Sequence, residues 1–162
     1  FLAKLDVPKL AALLAENSDE PHAELLARAM VSAQQRTPLT TTTRLAQVIR
    51  DALATLPKQI REAEGDNPVR RVFQALRIAV NDEFSALDSF LRELPRCLRG
   101  GGRVAVLTFH SGEDRRVKKA FQAAARDGLF ASISDEVRRP TAGEIRSNPR
   151  AAPAKLRWAV RA

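Results

Sequence analysis

The sequence predicts a mixed α/β protein in two parts: a small all-α domain over residues 1–66 and an α/β domain over residues 67–162. Three observations carry this. Apolar residues recur every three or four positions through the first half, as helices packed on one face require. Residues 104–109 (VAVLTF) are apolar apart from Thr108, the pattern of a strand covered on both faces inside a parallel sheet. Two later segments, ASISDEVRRPT and AKLRWAVRA, alternate in part, as paired antiparallel strands do.

Taken in chain order, Asp6 can cap a first helix with Pro8 in its first turn, and Leu10, Leu13 and Leu14 share a face. A second helix spans about residues 20–35, with Leu25, Leu26, Ala29, Met30 and Ala33 as its stripe. The Thr-rich TPLTTTT offers caps for a third helix carrying Leu45, Val48, Ile49, Ala52 and Leu56, which Pro57 stops. KQIREAEGDNP is polar, ends in a Gly-Asp-Asn-Pro cluster, and reads as a loop or a boundary.

The best-patterned helix follows, marked by Phe73, Leu76, Val80, Phe84, Leu87, Leu91, Leu94 and Leu98. Pro95 should kink or break it. Three glycines, Gly100 to Gly102, come after a helix and before a strand. A phosphate-cradling loop has the reverse order, so they read as a helix cap and tight turn. Ser111-Gly-Glu-Asp114 fits a capping box at the head of a helix with Val117, Ala120, Phe121 and Ala124 inward, closed near Gly128. AGEIRSNPRAAP reads as a loop.

A single cysteine, Cys97, allows no internal disulfide and suits a reducing compartment. No apolar run approaches bilayer length and nothing resembles a signal peptide, so a cytoplasmic location without membrane partners is expected. His22 has no second His or Cys near it and reads as a surface or capping residue. No metal site is expected. The chain opens on Phe1 within FLAKL, as a piece of a longer protein would.

Charge is unevenly distributed. Residues 1–98 carry 13 Lys/Arg against 13 Asp/Glu, and residues 99–162 carry 14 against 6, so the whole surplus of +8 lies in the last 64 residues. A local basic excess suits a polyanion such as nucleic acid; a solvated basic surface is the plainer alternative.

The strand ends in His110-Ser111, and ligands of open α/β sheets bind beyond strand carboxyl ends. His110 and Ser111 are therefore the candidate site residues. The alternative is that Ser111 only caps the helix and His110 bonds a neighbouring carbonyl. A serine hydrolase is disfavoured, because adjacent strand residues face opposite ways and no G-x-S-x-G elbow is present. Trp158 reads as a core residue of its strand rather than a base-stacking platform.

Three long motifs in order carry a resemblance. FQALRIAVNDE (residues 73–83), GGRVAVLTFHS (residues 101–111) and NPRAAPAKLR (residues 148–157) resemble the small-subunit ribosomal RNA cytosine-N4 methyltransferase family, RsmH or MraW. LTTTTRLAQVIRDAL resembles the helical insert that precedes those motifs. Departures are Gly112 in place of Leu, Asn67 where a His-Pro pair is commoner, and Ala152-Pro153 in place of Arg-Ser. The family's Gly-rich loop for S-adenosylmethionine has no match here. The resemblance therefore implies the C-terminal part of a Rossmann-like class I methyltransferase sheet behind a helical, substrate-recognising insert. The methyl-donor site would lie outside this chain, which alone would be inactive.

The implied reaction moves a methyl group to the N4 amine of a cytidine in small-subunit ribosomal RNA, free or in the assembled subunit, with a homodimer left open. His110 and Ser111 would wall the substrate side. Arg77 and Asn81, at i and i+4, would point at the same pocket or tie helix to strand. Arg115, Arg116, Lys118 and Lys119, joined by Arg138, Arg139, Arg150, Lys155 and Arg157, would meet RNA phosphates. Arg150 and Arg157 have another option, pairing with Glu113 or Asp114. Two other readings stand beside the enzyme: a non-catalytic basic RNA-binding module lacking the donor site, and a helical protein-interaction domain.

Overall fold

In the computed structural model, which describes residues 1–162, Asp6 accepts a hydrogen bond from the Lys9 N–H and α1 runs Val7–Ser18. Asp19 then turns left-handed (φ 51°) and ends the helix. Helix α2 (Ala23–Arg36) and α3 (Thr42–Leu53) follow, the latter capped by the Thr41 hydroxyl. The Thr cap is legible in the sequence because a hydroxyl before an apolar stripe satisfies an otherwise orphaned N–H.

Lys58–Glu64 forms a two-turn helix, α4, in place of the expected loop. Its polarity is real, but KQIREAE contains no breaker. Lys58 pairs with Glu62 along it, and Glu64 is held by Arg71 at 2.7 Å. Helix α5 (Asn67–Asn81) ends at Asp82, which adopts φ 52°. The expected long helix thus divides at Asp82 rather than at Pro95. Pro95 lies in the last turn of α6 (Glu83–Cys97) without ending it. Asp tolerates the left-handed region through its short polar side chain, a break that apolar periodicity cannot register.

Two compact units result, Phe1–Glu83 and Phe84–Ala162. The division falls after α5, not before it at the expected 66/67 boundary. The reason is packing: Val69, Val72 and Ala75 of α5 share one core with Leu10, Leu14, Leu26, Met30 and Ile49. Each such large side chain taken from water is worth about 1.5–3 kcal/mol. That ties α5 to the helical unit more firmly than chain order ties it to the strand.

The second unit holds β1 (Arg103–Thr108), α7 (Ser111–Arg126), β2 (Phe130–Ile133), α8 (Ala142–Ser147) and β3 (Lys155–Arg161). Gly101 (φ 73°) makes the turn between α6 and β1, as expected. A one-and-a-half-turn helix, α8, and a short 3-10 turn at Pro149–Ala151 occupy the expected loop. The sheet order is β1-β3-β2, with β3 antiparallel to both neighbours. The expected pairing of the two alternating segments therefore forms, as β2 with β3.

The expectation that β1 lies inside a parallel sheet is not met within these residues. Here it is an edge strand of a three-stranded antiparallel sheet, and no parallel neighbour pairs with it. Its burial alternates: Val104 and Val106 pack toward α7 and Leu91, Leu94, Val117 and Phe121, whereas Leu107 and Phe109 are 54% and 51% exposed. An apolar run shows that both faces suit burial; it cannot say which of them a given chain covers. The expectation for Trp158 is corrected: it stands 37% exposed on the uncovered face beside Arg103, Ala105 and Val160. No helix is long and apolar enough to cross a membrane.

Candidate functional site

At the carboxyl end of β1 the chain turns into α7, and the side chain that caps this helix is His110, not Ser111. His110 is extended (φ −143°, ψ 166°) and its Nδ1 accepts the Glu113 N–H at 3.4 Å. Glu113 answers with Oε2, which accepts the N–H groups of Phe109 at 2.9 Å and His110 at 3.4 Å. This is a capping box, one residue earlier than the sequence suggested. Ser111 becomes the first helical residue.

The cap decides the chemistry open to the imidazole. An Nδ1 that accepts a hydrogen bond has its lone pair free of a proton, so the neutral ring carries its proton on Nε2. Nε2 lies 3.4 Å from Glu113 Oε1, and the side chain is only 11% exposed. As positioned, His110 shapes the turn and has no spare base on Nδ1.

Phe84 closes this corner. Its ring centroid is 5.9 Å from that of His110, and the Arg116 guanidinium carbon lies 4.1 Å from its centroid, a cation–π contact. Gly112 makes the approach feasible: a Cβ there would fall 2.7 Å from Phe84 Cζ and 3.3 Å from His110 Nδ1. The glycine standing in place of Leu thus has a physical reason, since Phe84 occupies the space that a leucine side chain at this position would need. Gly112→Leu should destabilise the second unit by about 1–3 kcal/mol through overpacking. Adding Phe84→Ala should recover part of that loss in urea denaturation. Full stability of the single variant would show that the corner is not tightly packed.

The basic ramp divides into two kinds of side chain. Lys118 and Lys119 are exposed on α7 with Arg115, at i+3 and i+4 spacing on one helical face. Arg116 instead turns back onto α6, pairing with Asp88 while it covers Phe84. Arg150, Arg138 and Arg139 are exposed and Lys155 is half-buried. Arg157 is not available to RNA. It is buried, 7% exposed, and donates from Nε and Nη2 to the two oxygens of Asp114 at 2.7 and 3.2 Å. It does not serve as the expected phosphate contact: β3 points it at the first turn of α7, where the pair joins helix to sheet.

Arg77 and Asn81 converge, but on Glu83 of their own unit. Arg77 donates from Nε and Nη2 at 2.9 and 3.1 Å, and Asn81 donates from Nδ2 at 3.1 Å. These bonds are local to the junction of α5 and α6, and the expected tie from helix to strand is not among them. Asp88, Phe84 and Glu113 complete the strand-end corner and carried no signal as site residues. Only the position of Glu113, third residue of a helix after a candidate cap, could have marked it.

No group of three or more His, Cys, Asp or Glu side chains is placed to hold a metal. The strand-end corner offers no free acid for a ligand. The acid at the β1 tip, Glu113, is occupied by two backbone N–H groups, and the glycine turn precedes its strand.

Comparison with known proteins places these features. The sequence profile of the MraW methylase family matches residues 1–162. A protein named ribosomal RNA small subunit methyltransferase H 1 from Lachnoclostridium phytofermentans is 46% identical over 162 residues, covering 99% of this chain and 44% of the relative. Ribosomal RNA small subunit methyltransferase H 2 from Alkaliphilus metalliredigens is 46% identical, covering 99% of this chain and 46% of that protein. A third, ribosomal RNA small subunit methyltransferase H from Solidesulfovibrio magneticus, is 42% identical and covers 94% and 51%. The chain spans about half the length of these relatives.

Proposed function

Since the chain belongs to the MraW methylase family, we propose that it is one part of an S-adenosylmethionine-dependent methyltransferase acting on the N4 amine of a cytidine in small-subunit ribosomal RNA, in the cytoplasm. The single observation that carries this reading is the family match over the whole chain, together with relatives named for methylating that RNA. The unpaired edge of β1 supports it: the remaining strands of a Rossmann-like sheet would continue from there, which would make β1 interior. The helical unit would then be the insert that recognises substrate. The methyl donor would supply an electrophilic carbon, held by residues beyond this chain.

The cytosine amine has its lone pair delocalised into the ring, so holding it in line matters more than a strong base. Reaching it requires an unpaired or extruded nucleotide. In this reading His110, with Nδ1 committed to the α7 cap, keeps the turn bearing Ser111 rigid at the substrate-side wall. Lys118 and Lys119, with Arg115, face the RNA backbone. Their contacts would be sequence-independent and salt-sensitive.

Two variants of the intact protein test the division of labour, with rRNA methylation read by mass spectrometry and binding by salt titration. His110→Ala should cost about 1 kcal/mol of stability through the lost cap, and lower methylation with little change in RNA affinity. Lys118→Glu with Lys119→Glu should weaken binding and flatten its salt slope. Unchanged methylation in the first variant removes His110 from the site, and an unchanged slope in the second removes α7 from the RNA footprint.

In this reading the chain by itself carries no donor site. As an isolated 162-residue polypeptide it should act as a basic RNA-binding module without methylating.

A further inference from the structure

We propose that the helical unit carries its own RNA contact, a cleft between α2 and α3 in which Arg36 and Arg44 clamp one backbone phosphate. This rests on the reading of the protein as an RNA methyltransferase and adds a phosphate subsite outside the strand-end corner and outside α7.

Six of the eleven Lys and Arg side chains in the helical unit are paired with acids. Lys9 pairs with Asp6, Arg28 with Glu24, Arg50 with Asp66, Lys58 with Glu62, Arg71 with Glu20 and Glu64, and Arg77 with Glu83. Five bases of the unit make no ion pair, Lys4, Arg36, Arg44, Arg61 and Arg70, and Arg36 and Arg44 stand out among them because they share one concavity. Neither makes an ion pair, both are exposed, and both line one concavity of about 460 Å³. Arg36 has a single side-chain bond, from Nη2 to the Ser32 hydroxyl at 2.9 Å, which steadies the guanidinium and leaves its other N–H groups outward. Two unpaired guanidinium forks at one cleft fit a phosphodiester, whose oxygens accept bidentate hydrogen bonds.

The cleft also has a direction. Arg36 and Thr37 end α2, and Arg44 lies in the first turn of α3, so the cationic rim is at that end. Asp51 sits two turns further along α3, its carboxylate bound to the Gln47 amide at 2.7 Å. An anion is attracted to the arginine end and repelled from the other. The floor between them is small and apolar, Ala29, Ala33, Val48 and Ala52, which suits the face of a ribose.

The test uses the full chain and a small-subunit ribosomal RNA transcript, with affinity measured across salt concentrations. One lost phosphate contact should make the slope of log K against log salt less negative by about 0.7. In the Arg36→Gln, Arg44→Gln double variant the affinity should therefore fall about fivefold at about 0.1 M salt, by that same slope. Arg36→Lys with Arg44→Lys keeps the charge and loses the fork, so its slope should stay near the starting value while its affinity falls. If the unaltered chain binds the transcript and the Gln variant matches it in slope and affinity, the cleft is not an RNA subsite and the methyltransferase reading survives. Loss of binding to a poly-glutamate peptide in the Gln variant, with RNA affinity intact, would assign the cleft to an acidic protein partner instead. If the unaltered chain fails to bind the transcript at all, both the subsite and the RNA reading fall together.

Discussion

Arg71→Ala should destabilise the helical unit by about 3–5 kcal/mol, the cost of leaving a buried charge without its partner. The charge left behind is Glu20, whose side chain is fully buried. Arg71 donates from Nε to Glu20 Oε2 at 2.7 Å and from Nη2 to Glu64 Oε2 at 2.7 Å, so one guanidinium holds a carboxylate from the α1–α2 turn and one from α4. Burial alone would lower the guanidinium's pKa, but its hydrogen bonds to Glu20 and Glu64 outweigh that and hold it above the ordinary arginine value. Glu20 also accepts the His22 N–H at 3.0 Å, which sets the start of α2. Against a typical domain stability of about 5–15 kcal/mol the loss is large. Urea denaturation of Arg71→Ala, Glu20→Gln and the double variant should give a cycle in which the double costs less than the sum. Additive losses would mean that the two groups do not depend on each other, and the account given for this pair would be wrong.

Asp114→Ala should cost the second unit a similar amount, because it strands the Arg157 guanidinium beneath α7. Arg157 lies mid-strand opposite Val106, on the face that α7 covers, with a side chain only 9% exposed. Both carboxylate oxygens that it reaches belong to Asp114, so the loss of that one side chain removes both bonds. Arg157→Met should be far milder, since the thioether chain fills the space of the arginine stem and Asp114, at the positive end of α7, keeps a favourable position. Thermal unfolding of the two variants separates the cases. Equal losses would show that the pair is worth no more than its packing. Because the pair joins β3 to the first turn of the helix that His110 caps, Asp114→Ala should also lower methylation in the intact protein.

The strand-end corner shows where sequence reading reached its limit. That residues 110–114 cap a helix was legible, because a polar residue, an acid three places on and an apolar stripe make a local pattern. Which residue caps was not. Histidine and serine are neighbours, and the choice depends on the extended backbone of His110 and on Phe84 lying across Gly112. The strand character of residues 104–108 was likewise local, whereas its place at the edge of the sheet depended on which strand paired with it.

By itself the sequence determined the first three helices, the paired late strands, the basic surplus of the last 64 residues and the family. All of these follow from periodicity, composition or contiguous motifs. Only the tertiary structure decided which bases remain for a partner. Arg116, Arg157 and Arg71 are taken by acids 28, 43 and 51 positions away, while Arg36 and Arg44 are left open. The physical reason is that an ion pair forms between side chains close in space, and chain order carries almost no information about acids so distant along it.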